Sequence, residues 1–274
     1  MFVEVGTISY HVREFGEVNS TNVIVALHGF TASGQIFEQF STRLESQDFR
    51  LFAIDLPGHG STITPNSAQI HTFDAQLENF SALIDKLNIP AFHLLGYSMG
   101  GRIAIHYALN HPDKTASLIL ESTNNGISNE KDRLDRISRD NALSEDIIRN
   151  YPDFLKKWNK LPLFKSPRIV KNTHIETFYH IQVNQNPIQI ALSLREFSPG
   201  IIPYVCDELS LISCPVLAIT GSMDHKYNDL WTKLINKFQY GIHINIENAG
   251  HRVHLDQPNE YMDTVLNFIK TTIK

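Results

Sequence analysis

Six short runs of aliphatic and β-branched residues recur along the chain: VIVALHG (23–29), RLFAIDLPG (50–58), FHLLGYS (92–98), SLILES (117–122), PVLAITG (215–221) and IHINIEN (242–248). Their apolar character is nearly continuous rather than alternating, which predicts strands covered on both faces, as in a parallel sheet. The intervals between them can hold crossover helices. The one over 73–88 places Leu77, Phe80, Leu83, Ile84 and Leu87 on one helical face, and further helices are expected over 101–110 and 255–274. Upstream, FVEVGTISYHVREFG alternates and turns at Gly6, the pattern of an antiparallel hairpin at a sheet edge. Strands alternating with helices in this order predict an α/β fold, a mostly parallel central sheet flanked by helices.

Between about Ser122 and Tyr204 the rhythm breaks. The segment is rich in charge and turn residues, holds helical stretches such as 129–143, and offers no convincing buried strand. It reads as a helical excursion between two strands, and because ligands in open parallel sheets sit beyond the carboxyl ends of the strands, it is placed to act as a lid. The expected organisation is a core over 1–121, a helical lid over 122–204 and the rest of the core over 205–274. A chain of 274 residues suits one such unit with an insertion.

Several functional classes are disfavoured. Net charge is −5 and no Lys/Arg-rich run occurs, so a nucleic-acid partner has no electrostatic footprint. No apolar run approaches the ~20 residues that span a bilayer, and the first residues lack the basic start and apolar stretch of a secretory leader, so a cytoplasmic protein is expected. Cys206 and Cys214 read as reduced structural thiols. The thirteen histidines are scattered without H-E-x-x-H or similar spacing, so no metal site is expected. Oligomeric state is left open.

The chemistry concentrates in GYSMG, a G-x-S-x-G pentapeptide that follows an apolar strand and precedes the helix-forming RIAIHYALN. A serine between glycines is often only a turn residue. As a nucleophile or base, Ser98 would need an imidazole to take its proton and an acid to orient that imidazole. In a strand–turn–helix context of this kind the partners follow in the order serine, acid, histidine. LAITGSMDHKY presents Asp224 just past one strand, and IENAGHRVH presents His251 just past the next, both at the edge where Ser98 lies. Asp224 could alternatively cap a helix. His225 and His254 are the rival imidazoles and read as ordinary loop residues. The backbone amides of Phe30, in LHGF, and of Met99, at the helix start, are placed to stabilise a developing oxyanion. Asp55 and His59, in DLPGHGST, are explained by a loop turned by Pro57, Gly58 and Gly60 and are assigned no chemistry.

These blocks (LHGF, DLPGHG, GYSMGGR, TGSMD and AGH) resemble the α/β-hydrolase superfamily along nearly the whole chain. More narrowly, GYSMGGR, LILEST, RLDRISRD, WNKLPLF and LSLRE are similar to the 2-succinyl-6-hydroxy-2,4-cyclohexadiene-1-carboxylate synthase family of menaquinone biosynthesis, lid included. The resemblance implies an α/β-hydrolase fold with a helical lid and a lyase reaction. In it a histidine-activated serine takes a proton from an enolpyruvyl-bearing cyclohexene and pyruvate is eliminated, with no metal or organic cofactor. The substrate would be a small polycarboxylate, which calls for guanidinium groups. Arg102, four residues after Ser98 and on the same side of the helix start, and Arg136 in RLDRISRD are implied substrate ligands, as are Tyr97 and Trp158. Arg136 could also pair with Asp132 or Asp140, Arg102 could form a structural ion pair, and Trp158 could be a lid core residue.

One position departs from the pattern. Where the family usually carries a further arginine, HIQVNQNP has Gln182, so either a neighbour such as Arg195 compensates or the substrate differs. An esterase or carbon–carbon bond hydrolase working through an acyl-serine remains the alternative reaction, and a non-catalytic ligand-binding module the alternative class.

Overall fold

The computed structural model describes residues 1–167 and 172–272, with the side chains of 172–174 outside the description. The strands are β1 (Phe2–Val5), β2 (Ile8–Gly16), β3 (Val23–Leu27), β4 (Arg50–Ile54), β5 (Phe92–Tyr97), β6 (Thr115–Glu121), β7 (Val216–Gly221) and β8 (Gly241–Ile246). They form one sheet in the order β1-β2-β4-β3-β5-β6-β7-β8. β1 and β2 make the expected hairpin, with Gly6 at φ 57° in its turn, and β2 pairs antiparallel with β4. Every other pairing is parallel.

The helices are α1 (Ser41–Ser46), α2 (Ala68–His71), α3 (Phe73–Leu87), α4 (Met99–Asn110), α5 (Glu130–Arg149), α6 (Tyr151–Trp158), α7 (Asn172–Val183), α8 (Pro187–Glu196), α9 (His225–Leu234), α10 (Val253–Asp256) and α11 (Pro258–Thr272). Alternate residues of the central strands feed two cores. Val25, Leu27, Leu94 and Leu118 pack with Phe80 of α3, Ile103 of α4 and Trp231 of α9. Ile24, Ala26, Leu95 and Ile119 pack on the opposite face with Leu44 of α1 and Tyr261 and Val265 of α11. This double burial is why the runs are apolar without alternation.

β8 departs from that expectation. It is the last strand of the sheet, paired on one side only, with Ile242 51% and Ile244 36% exposed. The carboxyl-terminal helix also differs from the expected 255–274. A short α10 breaks at Gln257, and Pro258 starts α11 anew, proline being suited to a first helical turn.

The segment between β6 and β7 contains α5 to α8 and, among the described residues, no strand. Side chains of Asn129, Asn150 and Asn186 cap α5, α6 and α8 by accepting from backbone amides of the first turn. Ile147, Tyr151, Phe154, Leu155, Ile190 and Leu194 form a separate small core, so the insertion has a hydrophobic interior of its own. No helix among the described residues is long and apolar enough to cross a membrane.

Candidate active site

Ser98 closes β5 and opens α4, at φ 48° and ψ −102°, a backbone state costly for a non-glycine residue and found where surrounding structure enforces it. Here the enforcement is visible. The Ser98 amide donates to the Glu121 carbonyl at 2.9 Å, and Thr123 Oγ1 donates to the Ser98 carbonyl at 2.7 Å. A Cβ at Gly96 would lie 2.5 Å from the Gly101 Cα, and one at Gly100 would collide with the Leu27 carbonyl. The glycines of G-x-S-x-G thus allow the turn to pass under the neighbouring strand.

His251, carried in the loop after β8, is 2% exposed. Its Nδ1 lies 2.6 Å from Asp224 Oδ2, and its Nε2 lies 3.2 Å from Ser98 Oγ. The carboxylate can only accept, so Nδ1 is the protonated nitrogen and Nε2 offers its lone pair to the serine hydroxyl. Asp224 also accepts from the Tyr227 amide as the N-cap of α9, so the capping role and the pairing with His251 coexist. The rival histidines lie elsewhere. His225 is exposed on α9. His254, read from sequence as a loop residue, is instead fully buried on α10, its Nδ1 2.8 Å from Glu121 Oε1. It fits inside because a buried carboxylate at the end of β6 receives it.

Met99 is the first residue of α4, so its amide has no intrahelical acceptor. The loop bearing Phe30 is held by His28, which sequence reasoning passed over. His28 Nδ1–H donates to the Gly29 carbonyl at 2.8 Å, and its Nε2 accepts from the Leu56 amide at 3.0 Å. Burial lowers the pKa of His28, which suits an imidazole that must accept at one nitrogen. The loop containing Asp55 is likewise structural: Asp55 is fully buried and accepts from the amides of Gly34 at 2.6 Å and Ser61 at 2.9 Å.

Above Ser98 lies a cavity of about 380 Å³ between the sheet edge and the insertion. Phe30, Tyr97, Met99, Arg102, Arg136 and Trp158 all line it, together with Ser98 and His251. Arg102 is 8% exposed and pairs with no carboxylate among the described residues, with the Phe197 ring 5.4 Å from its guanidinium carbon. Burial, reinforced by the neighbouring Arg136 charge, lowers its pKa to about 10. Arg136 does pair within α5, its Nε donating to both Asp140 oxygens at 2.8 Å, and Asp140 is anchored in turn by the Ser198 hydroxyl at 2.7 Å. The indole N–H of Trp158 is buried without a partner among the described residues, while its ring stacks on Phe154 with centroids 5.5 Å apart. Trp158 therefore serves both the lid core and the cavity wall.

Two further cations line the cavity, exposed Arg139 and Lys226. Arg139, three residues after Arg136 on the same side of α5, and Lys226, two residues past Asp224, were not singled out from the sequence. Gln182 does not line the cavity. It is fully buried on α7 of the insertion, donating to Thr31 Oγ1 at 2.8 Å and accepting from Asn159 Nδ2 at 2.7 Å. Arg195 does not compensate for it: it pairs with Glu196 at 2.8 Å and is 43% exposed. The guanidinium of that neighbourhood is that of the partly buried Arg252, which donates to Asn159 Oδ1 at 2.8 Å. No three His, Cys, Asp or Glu side chains converge as a metal-ligand set among the described residues.

An eight-stranded, mostly parallel sheet with a Ser–His–Asp constellation at the carboxyl ends of its strands defines a protein of the α/β-hydrolase fold, and the model of the alpha/beta hydrolase fold family matches residues 22–166. The chain is 32% identical over 264 residues to a Bacillus subtilis (strain 168) protein provisionally named 2-succinyl-6-hydroxy-2,4-cyclohexadiene-1-carboxylate synthase, spanning 96% of this chain and 95% of that one. It is 28% identical to the synthase of that name from Pectobacterium atrosepticum, over 92% of this chain and 95% of that one. Among solved structures, MenH from S. aureus superimposes with a TM-score of 0.88 at 29% identity, covering 96% of this chain and 98% of that one. A thermophilic esterase from Thermogutta terrifontis reaches 0.85 at 19% identity over the whole of both chains, a likeness of fold alone. The chain belongs to the 2-succinyl-6-hydroxy-2,4-cyclohexadiene-1-carboxylate synthase family.

Proposed function

We propose that this chain is a lyase of menaquinone biosynthesis that eliminates pyruvate from 2-succinyl-5-enolpyruvyl-6-hydroxy-3-cyclohexene-1-carboxylate, giving 2-succinyl-6-hydroxy-2,4-cyclohexadiene-1-carboxylate. The observation that carries the reading is Arg102, a buried guanidinium without a carboxylate partner among the described residues, in the same cavity as Ser98. An unpaired buried cation is costly, and a carboxylate-bearing ligand offsets that cost where a neutral ester does not.

The substrate carries three carboxylates. Arg102 and Arg136 are assigned to bind them within the cavity, and Tyr97 and Trp158 to pack against the ring. Going from a 3-ene with a C5 ether to a 2,4-diene removes the C2 proton, which the adjacent succinyl carbonyl acidifies. Ser98, its hydroxyl proton passed to His251 Nε2, takes the C2 proton. Asp224 holds His251 in the required tautomer and balances the imidazolium that forms. The electron pair flows first into the succinyl carbonyl, whose oxyanion the amides of Phe30 and Met99 stabilise. It then returns to make the C2–C3 bond double as the ring double bond shifts to C4–C5 and the C5–O bond breaks. The leaving enolate takes a proton to become pyruvate, and the serine and histidine return to their starting state. The part of the insertion over the cavity, α5, α6 and α8 with residues 161–164, acts as a lid that excludes water from the dienolate. A triply charged substrate is retained on one side of a bilayer, and the reading places the enzyme in the cytoplasm.

The test is a substrate panel. Pyruvate release from the enolpyruvyl cyclohexene, with no comparable turnover of neutral aryl esters, is expected. Efficient aryl ester turnover with no pyruvate released would favour the hydrolase instead.

A further inference from the structure

Arg252 directly follows His251, and its contacts reach the neighbours of the other reacting groups. The guanidinium carbon lies 4.2 Å from the Phe164 ring centroid and 4.3 Å from that of Phe178, so two aromatic side chains of the lid enclose it. Nη2 donates to Asn159 Oδ1 at 2.8 Å. Asn159 Nδ2 then donates to Gln182 Oε1 at 2.7 Å, and Gln182 Nε2 donates to Thr31 Oγ1 at 2.8 Å. Thr31 is the residue after Phe30. One chain of contacts therefore runs from the residue after the histidine, across the lid, to the residue after the oxyanion donor.

Arg252 does not line the cavity above Ser98. No ion pair holds it among the described residues, and burial lowers its pKa. The charge is instead stabilised by two ring faces and a directional hydrogen bond, a combination that a planar guanidinium allows and an ammonium does not. A partly buried cation fixed by geometry rather than by a counter-charge resists displacement, because any shift loses the stacking and the hydrogen bond together.

We propose that Arg252 is a positioning residue: its clamp between Phe164 and Phe178 and the Asn159–Gln182–Thr31 chain lock the His251 loop against the Phe30 loop, holding imidazole and amide donors in register over Ser98. This rests on Ser98 and His251 being the reacting pair. A catalytic group displaced by about 1 Å loses on the order of 10²-fold in rate.

Three variants test it: Arg252→Met, which keeps an apolar stem between the rings, Arg252→Lys, which keeps the charge, and Asn159→Ala, which breaks the chain at its half-exposed link. Each is measured for kcat and KM of pyruvate release, for the rate at which a small neutral aryl phosphonate modifies Ser98, and for Tm. Arg252→Met is expected to lower kcat and the phosphonate rate together by about 10²-fold with KM within about twofold, and Arg252→Lys to recover little of either. Asn159→Ala is expected to lower both by about tenfold at unchanged Tm, and it decides the matter if Arg252→Met does not fold. An unchanged phosphonate rate in Asn159→Ala, or a rise in KM alone in Arg252→Met, overturns the proposal. If the wild type reacts with phosphonate but releases no pyruvate, the lyase reading fails while the phosphonate rates still judge Arg252.

Discussion

Replacing Arg102 by methionine should make the protein more stable and far less active. The guanidinium is 8% exposed and has no carboxylate partner among the described residues. Its pKa falls from the ordinary guanidinium value to about 10, chiefly through burial and secondly through Arg136. Because the folded pKa lies below the unfolded one, the charged form is disfavoured by folding. The cost is fully present below about pH 10 and fades as pH rises from there through the unfolded value. The depression corresponds to about 3 kcal/mol, and water reaching the group through the cavity reduces this to about 1–3 kcal/mol at neutral pH. Methionine spans a similar length without charge, so Tm should rise by a few degrees, at about 2–4 °C per kcal/mol for a chain of this size. The substrate meanwhile loses a charge-assisted, bidentate partner worth about 2–5 kcal/mol in a buried pair, so kcat/KM for pyruvate release should fall by about 10²–10³-fold. Calorimetry of the ligand-free protein and a coupled pyruvate assay read the two effects. A lower Tm for Arg102→Met would make Arg102 a structural group, and unchanged kcat/KM would remove it from the substrate site.

Asp224→Asn should lower kcat by about 10²–10⁴-fold in the same assay, since an amide next to His251 Nδ1 can favour the wrong tautomer. Its α9 cap oxygen is retained, so circular dichroism should show native helix content. Gly100→Ala should cost about 1–3 kcal/mol in urea unfolding, because the added methyl meets the Leu27 carbonyl and must displace β3 or the elbow, the sharp turn between β5 and α4. Its activity should fall further than its stability, as the displaced elbow carries Ser98. Removing both exposed cavity cations, as Arg139→Ala with Lys226→Ala, should raise KM by about tenfold at low salt and flatten its dependence on ionic strength, the mark of lost electrostatic attraction. An unchanged salt profile would exclude them from substrate capture.

The convergence of Ser98, Asp224 and His251 was legible because each lies within five residues of the carboxyl end of a strand, and a parallel sheet brings those ends to one edge whatever the details of packing. The insertion was legible through the absence of strand-like runs between β6 and β7. What stayed hidden depends on tertiary proximity. Arg252, Asn159, Gln182 and Thr31 are far apart in sequence and converge only when α6 and α7 fold over the sheet, so no local pattern announces them. The exposure of β8 was hidden for a related reason: IHINI has the composition of a central strand, and only the strand order puts it at the edge. His254 read as a loop residue because its partner, Glu121, ends a strand more than a hundred positions earlier.

The central claim is that Ser98, activated through His251, removes the proton whose loss expels pyruvate. The initial rate of pyruvate release from the enolpyruvyl cyclohexene, compared between wild type and Ser98→Ala at equal concentration, tests it most directly. The account predicts a fast, saturable reaction in the wild type and a loss of about 10³-fold or more in the variant. Equal rates in the two proteins would contradict it.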